Sequence, residues 1–170
     1  MIKLEKMNAA DFAAFNEISI RVLAGALEKE FPPAAAAEKA EAEQKELLPD
    51  GCDTEGQYLF SVIDSNPDAT EQTAGGLWFS PLNRDGVNFA FLFFIFIEPE
   101  LRGKGIGSTA MELIEAEVEK LGLQAIRLHV LKSNLPAVRV YEKTGYNIFM
   151  NYNGYSKDNP GMIMEKILNK

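Results

Sequence analysis

The sequence has 170 residues, of which 46% are hydrophobic and 25% are charged, and its formal net charge is −8 at pH 7. This length and composition are typical of one soluble globular domain, so we treat residues 1–170 as a single domain. The acidic balance argues against nucleic acid and anionic membrane surfaces as partners, because nucleic-acid binding depends on Lys and Arg contacts to phosphate.

A nucleophilic cysteine is disfavoured by the composition. Cys52 is the one cysteine, so no internal disulfide can form, which suits a reducing cytosol. A cysteine nucleophile needs a histidine partner, and the one histidine, His129, lies inside a predicted strand. The chain start has no signal-peptide core, and the longest apolar run, residues 89–97, is about half the length that spans a bilayer. We therefore expect a cytoplasmic protein without a membrane partner.

The residue pattern in the first part of the chain predicts one strand and two helices. Residues 2–5 predict a short strand, and Asn8 can cap a helix over residues 8–27, in which apolar residues such as Val22 recur at helical spacing. Residues 34–48 are rich in Ala, Glu and Lys and predict a second helix with a solvated charged face.

The residue pattern in the middle of the chain predicts three strands. They cover residues 58–64, 73–79 and 87–97, with turns predicted at 65–68 and 83–86. The strand over 87–97 is apolar on both faces, as expected where helices cover both sides of a sheet.

The last part of the chain alternates helices and strands. The predicted elements are a helix over 108–121, a strand over 124–131, a short helix capped by Asn134 and ending at 144–145, strands over 146–151 and 162–168, and a polar loop over 152–161 between them.

The turn after the apolar strand is the most informative segment. Glycines stand at 103, 105 and 107, directly before the helix over 108–121, and Arg102 and Lys104 add positive charge. Unpaired N–H groups at a helix start bind anions, and glycine lets the backbone approach a ligand closely. The segment therefore predicts a diphosphate site.

Two nucleotide-binding motifs fit this turn poorly. The spacing is G-x-G-x-G rather than the dinucleotide G-x-G-x-x-G, and the next strand ends in Lys132-Ser133-Asn134 without a carboxylate for a ribose. A phosphate-binding loop of the Walker type needs Lys after its last glycine, whereas Ser108 follows Gly107 here.

A third pattern fits well. Arg102-x-x-Gly105-x-Gly107 resembles the R/Q-x-x-G-x-G/A signature of the GNAT superfamily of N-acetyltransferases. A second block, Asn134, Ala137 and then Tyr141-x-x-x-Gly145-Tyr146, resembles that family's N…A…Y-x-x-x-G-[FY] segment at the expected distance.

The resemblance implies a fold. It is an α/β (α+β) GNAT fold with a mixed central sheet of about seven strands and about four flanking helices. In that family the fourth and fifth strands splay apart and hold the acyl-CoA arm, and Pro99 suits such a splay because proline lacks the N–H that continues a ladder.

The resemblance also implies acetyl-CoA as co-substrate and no metal. The implied cofactor-binding residues are Ile95, Phe96 and Ile97 on the strand, Arg102, Gly103, Lys104, Gly105, Ile106, Gly107 and Ser108 in the turn, and Asn134, Ala137, Tyr141 and Lys143 in the second block. Tyr141 matches the family tyrosine that faces the CoA sulfur, where a phenol can protonate a leaving thiolate.

The general base is not evident from the sequence. Many relatives carry an acid on the fourth strand, but residues 89–97 contain none, and Glu98 at the strand end is the nearest candidate. A water relay or a partly deprotonated acceptor would also suffice. The aromatic residues of this strand either line a pocket for an apolar acceptor or belong to the core.

Two functions are consistent with these features. The first is an N-acetyltransferase that acts by direct transfer on a small amine, an amino acid or a peptide N-terminus. The second is a catalytically weak domain that binds acyl-CoA as a sensor or interaction module. In either case we expect a monomer or a homodimer.

Overall fold

The computed structural model describes residues 1–65, 70–153, 158 and 160–168. Over these residues the predicted order of elements is confirmed. The elements are β1 (Ile2–Lys6), α1 (Ala9–Leu27), α2 (Pro33–Leu47), β2 (Tyr58–Asp64), β3 (Gln72–Arg84), β4 (Val87–Ile97), α3 (Ile106–Lys120), β5 (Ala125–Leu131), α4 (Leu135–Lys143), β6 (Asn147–Asn151) and β7 (Gly161–Ile167). The predicted turn at 65–68 and loop at 152–161 lie largely outside the described residues.

The strands form one mixed sheet of seven in the order β1-β2-β3-β4-β5-β7-β6. Neighbouring strands are antiparallel except β4 and β5, which are parallel. A parallel pair needs a crossover, and α3 supplies it between β4 and β5. The predicted fold class is therefore confirmed.

Strand β3 is longer than the sequence predicted. It runs past Phe79 to Arg84 and returns into β4 through Asp85 and Gly86, whose φ angles of 53° and 78° suit a two-residue hairpin turn. The prediction ended this strand before Pro81. Strand β2 pairs with β3 only as far as Phe79, so one edge of β3 is free at Pro81 and proline is tolerated there.

The start of α1 follows its sequence signals. The Asn8 side-chain oxygen accepts hydrogen bonds from the N–H groups of Ala10 and Asp11, both at 2.9 Å, and so caps the helix as predicted. The predicted apolar face is correct at Phe15, which is buried, but not at Val22, which is 54% exposed. Val22 borders a cavity described below.

Helices cover both faces of the sheet. On one face, Met111, Ile114 and Val118 of α3 pack against a buried cluster that includes Phe79 and Ile126. On the other face, a second cluster gathers around α1 and α2. It consists of Met7, Phe15, Leu48, Leu59 and Trp78. Among the described residues, no helix combines the length and apolar character needed to cross a membrane.

The tyrosine that closes the second sequence block is deeply buried. Tyr146 is 2% exposed, its ring centroid lies 5.9 Å from that of Tyr141, and its hydroxyl has no hydrogen-bond partner among the described residues. Burial also raises the pKa of Tyr146 well above its ordinary value, so the hydroxyl stays protonated.

We expect Tyr146→Phe to stabilise the fold. A buried hydroxyl without a partner costs about 1–3 kcal/mol, and phenylalanine fills the same space without that group. Urea unfolding of both proteins should show a higher unfolding free energy for the variant. An unchanged or lower free energy would indicate that the hydroxyl has a partner in solution.

Candidate active site

The site begins where β4 and β5 stop pairing. Residues 89–92 of β4 pair with residues 125–128 of β5, and the described pairing ends there although both strands continue. A bulge marks this point, because Trp78 pairs with Phe94 and Phe79 with Leu92, which leaves Phe93 without a counterpart on β3. Beyond it, β4 remains paired with β3 as far as Ile97. The backbone edge of β4 that faces β5 is therefore open, as the resemblance implied.

The predicted anion site lies beside the end of this open edge. Gly103 and Gly105 have φ angles of 75° and 83°, which favour glycine, and α3 starts directly after Gly105. The Thr109 N–H bonds to the Gly105 carbonyl, so the N–H groups of Ile106, Gly107 and Ser108 precede the first hydrogen bond of the helix. The helix starts two residues earlier than predicted because Gly105 itself ends the turn.

Arg102 connects the turn to the strand. Its Nε–H donates to the Ile97 carbonyl oxygen at 2.8 Å, and its guanidinium carbon lies 5.4 Å from the centre of the Phe96 ring. The remaining guanidinium donors and the exposed Lys104 add positive charge beside the helix start. The turn can therefore bind an anion at a fixed place relative to β4.

A cavity of about 720 Å³ extends from this gap to helices α1 and α2. Of the predicted site residues, Ile95, Asn134 and Tyr141 line it, and Glu98 lies outside its described lining. Asn134 also caps α4, because its side-chain oxygen accepts from the Ala137 N–H at 3.4 Å. It can therefore serve as cap and as cavity wall together.

Tyr141 borders the cavity from α4. The residue is 8% exposed, and burial raises the pKa of Tyr141 to about 12. Its hydroxyl therefore remains protonated at neutral pH and can act as a donor there.

The one histidine, which the sequence analysis predicted to lie inside a strand, also lines the cavity. His129 lies on β5 one residue beyond the last described pair with β4, is half-buried, and lines the cavity. Its Nε2 lies 3.2 Å from the Tyr152 carbonyl oxygen. A carbonyl only accepts, so Nε2 carries the hydrogen and Nδ1 has a free lone pair in the neutral ring. Burial lowers the pKa of His129, with the Tyr152 carbonyl opposing that effect, so the ring is neutral at pH 7.

Gly161 on β7 allows this position of the ring. A Cβ at residue 161 would lie 2.3 Å from His129 Nε2 and 2.7 Å from the Tyr152 carbonyl oxygen. Only glycine leaves room for both groups. Sequence reasoning missed His129 as a cavity residue, although a titratable side chain on the strand that follows the glycine turn was a usable signal.

The other predicted residues lie around the gap. Glu98 is half-buried where β4 ends, and its N–H donates to the Ala74 carbonyl oxygen at 2.9 Å. Lys143 is exposed in the last turn of α4, and Phe96 and Ile97 form the outer end of β4. In the part of the chain that is described, no three His, Cys, Asp or Glu side chains are grouped closely enough to hold a metal ion.

Comparisons with known proteins identify the family. Residues 24–146 match the acetyltransferase (GNAT) family, and the chain belongs to it. It is 27% identical over 147 residues to the uncharacterized N-acetyltransferase YdgE of Bacillus subtilis, a match that covers 84% of this chain and 90% of that protein. The chain is therefore an acyltransferase with the GNAT fold.

Solved structures agree with this fold. The putative acetyltransferase YycN of Bacillus subtilis superposes with a TM-score of 0.76 at 24% identity, covering 86% of this chain and 92% of that one. The spermidine N-acetyltransferase of Vibrio cholerae, in complex with CoA and spermine, superposes with a TM-score of 0.70 at 20% identity, covering 98% and 95%.

A pair of glycine variants tests the anion site. Gly105 and Gly86 have φ angles of +83° and +78°, and a Cβ at either position meets nothing within 4 Å. Gly105→Val and Gly86→Val should each cost about 1–2 kcal/mol of stability through the same backbone strain. Only Gly105→Val should weaken CoA binding, by roughly ten-fold or more, because it distorts charge-assisted hydrogen bonds worth about 1.5–3 kcal/mol each.

Isothermal titration calorimetry with CoA measures the affinity, and urea unfolding measures the shared strain. Equal CoA affinity in the two valine variants would show that the turn does not hold the ligand.

Proposed function

We propose that this acyltransferase moves the acetyl group of acetyl-CoA directly to a primary amine, with His129 as the general base and Tyr141 as the general acid. The observation that carries the proposal is that both side chains, from β5 and α4, line one cavity at the place where β4 and β5 separate. A neutral imidazole can accept the proton that the amine loses, and a protonated phenol can supply one to the leaving thiolate.

The open edge of β4 and the glycine turn would bind the co-substrate. Backbone N–H groups from Gly103 to Ser108 would hold the pyrophosphate, with Arg102 and Lys104 supplying charge. Backbone groups of residues 95–97 would hold the pantetheine arm and the thioester. An N–H directed at the thioester oxygen would stabilise its developing negative charge, a contribution of about 3–4 kcal/mol in other acyl-transfer enzymes.

The second sequence block would complete this binding site. Asn134 and Ala137, at the start of α4, would border the pantetheine arm. Lys143 is exposed at the other end of α4 and would reach the 3′-phosphate of CoA.

His129 fits the role of base better than Glu98 does. As the amine nitrogen bonds to the carbonyl carbon it loses a proton, which His129 Nδ1 would accept directly or through one water. Glu98 lies outside the described cavity lining, so its carboxylate has no comparable access. The base that is missing from β4 is therefore supplied by β5.

Tyr141 would act on the leaving group. When the carbon–sulfur bond breaks, the electron pair goes to sulfur and the Tyr141 hydroxyl would supply a proton to it. Burial keeps this hydroxyl protonated, so the proton is present throughout the working pH range.

The acyl-CoA sensor is the weaker alternative. Its support was the absence of an acid on the strand over 87–97, and His129 provides a base without one. Measuring CoA release over a panel of primary amines separates the two functions. An enzyme releases CoA in proportion to acetylated amine, whereas a sensor binds acetyl-CoA without acceptor-dependent release.

The role of Tyr141 can be tested with a matched pair of tyrosine variants. Tyr141→Phe should lower kcat by roughly 10²–10⁴ with little change in acetyl-CoA affinity, because the ring remains and the proton is lost. Tyr146→Phe removes a neighbouring hydroxyl outside the described cavity lining and should leave kcat unchanged. If kcat falls only about two-fold in Tyr141→Phe, Tyr141 is a packing residue and not the general acid.

The role of His129 predicts a specific pH profile. Its pKa is lowered from 6.5, so it is unprotonated above that pH and gains a proton as the pH falls through its lowered pKa. The kcat/KM profile should therefore have an acidic limb below pH 6.5 that does not move with the acceptor. A second limb should follow the pKa of each acceptor, near 8 for an α-amine.

Two amide variants identify the base. His129→Gln keeps a donor for the Tyr152 carbonyl but cannot accept the proton, so it should lower kcat by roughly 10²–10⁴ and remove the acceptor-independent limb. Glu98→Gln should cost less than about ten-fold. If Glu98→Gln removes the limb and His129→Gln does not, Glu98 is the base.

A further inference from the structure

One wall of the cavity is apolar and exposed. We define this apolar wall as Val22 and Leu23 of α1, Phe91 and Phe93 of β4, and Tyr152 after β6. Val22 is 54% exposed and Tyr152 is 51% exposed, although both are large side chains. Exposed apolar side chains gathered on one concave surface indicate where an apolar group of a ligand binds.

The aromatic rings of this wall are held in place by their neighbours. The Phe93 ring stacks on Trp78 with centroids 4.6 Å apart and meets Phe91 edge-on at 5.0 Å. Tyr152 meets the His129 ring edge-on at 5.4 Å. The wall therefore borders the proposed base directly, so an amine at His129 would place its carbon substituent against the wall.

Two polar side chains of the lining already donate to other side chains. The Gln44 amide donates to Asn16 at 3.0 Å, and the Trp78 indole N–H donates to Gln57 at 2.7 Å. The charged side chains of the described lining are Lys29, which follows the end of α1, and Glu43 of α2, one of each sign. With neutral His129, the described lining has no net charge that would select a carboxylate or a polyamine.

We propose that the acceptor is a primary amine whose adjacent substituent is apolar and uncharged. The α-amine of a leucine-like or phenylalanine-like residue, with its carboxyl group in an amide or peptide bond, has this chemistry. The inference rests on the proposed acetyl transfer and specifies its acceptor. A free amino-acid amide and a peptide N-terminus both present the group, and the assay below distinguishes them.

The test measures kcat/KM for α-amines whose amino groups have similar pKa values. Leucinamide and phenylalaninamide should exceed glycinamide by at least about ten-fold, because even one methylene in an apolar pocket is worth about 10- to 200-fold. Lysinamide and the α-amide of glutamate should fall below leucinamide. A tetrapeptide that begins with leucine, compared with leucinamide, shows which source is preferred.

Two results would overturn the inference in distinguishable ways. Equal rates for leucinamide and glycinamide, or a preference for a charged acceptor, would reject the apolar acceptor and leave acetyl transfer intact. No acceptor-dependent CoA release from any amine would reject the proposed function itself.

A variant of the apolar wall and a matched control test whether the wall is responsible for the preference for an apolar acceptor. Val22→Asp should lower the leucinamide-to-glycinamide ratio of kcat/KM by at least about ten-fold. Leu82→Asp alters a residue of similar exposure, 42%, outside the described lining and should leave the ratio unchanged. Val22→Thr keeps the shape of valine and should lower the ratio in the same direction if the aspartate variant does not fold. An unchanged ratio in the folded Val22 variants would reject the wall as the acceptor site.

Discussion

The loss of pairing between β4 and β5 is the constraint on which the site depends. A buried strand edge with unpaired N–H and C=O groups is normally unfavourable, and neighbouring parallel strands tend to stay paired. Here the bulge at Phe93 changes the course of β4, and Pro99 cannot continue a ladder beyond the strand end. Polar backbone groups therefore remain available to a ligand along residues 93–97.

Each separated strand is held by its other neighbour. Strand β4 keeps its register with β3 to Ile97, which explains why a long β3–β4 hairpin precedes the site. Strand β5 pairs with β7 along its whole length, including His129 with Ile163 and Leu131 with Gly161. The gap is therefore a fixed feature between two supported strands. The Tyr152 carbonyl orients the imidazole within the gap, and the lack of a Cβ at Gly161 leaves room for the ring there.

Local patterns in the sequence predicted most of the fold. Strand bounds at Tyr58–Asp64 and Val87–Ile97 and the cap at Asn8 depend on neighbouring residues, and the structure has them as predicted. The errors involve contacts between distant segments. Strand β3 continues past Phe79 because β2 ends there, and Val22 is exposed because the cavity opens beneath α1.

The position of His129 depends on the same kind of distant contact. Its strand was predicted from local pattern, but its access to the cavity results from the end of β4–β5 pairing and the close approach of β7. The glycine turn was easier to predict, because its glycine spacing and its position before a helix are properties of neighbouring residues. Its detailed backbone, with φ angles of 75° and 83° at Gly103 and Gly105, agrees with that interpretation.

Burial moves the pKa values of the two proposed catalytic groups in opposite directions, yet with one chemical result. It raises the pKa of the Tyr141 phenol to about 12 and lowers the pKa of the His129 imidazole, so both groups are uncharged at neutral pH. One then has a proton to give and the other has a lone pair to accept one. The same desolvation acts on the acceptor, since a cavity with an apolar wall disfavours an ammonium ion relative to a neutral amine. The neutral amine is the form that has the lone pair needed for attack, so the environment that prepares the two protein groups also favours the reactive form of the acceptor.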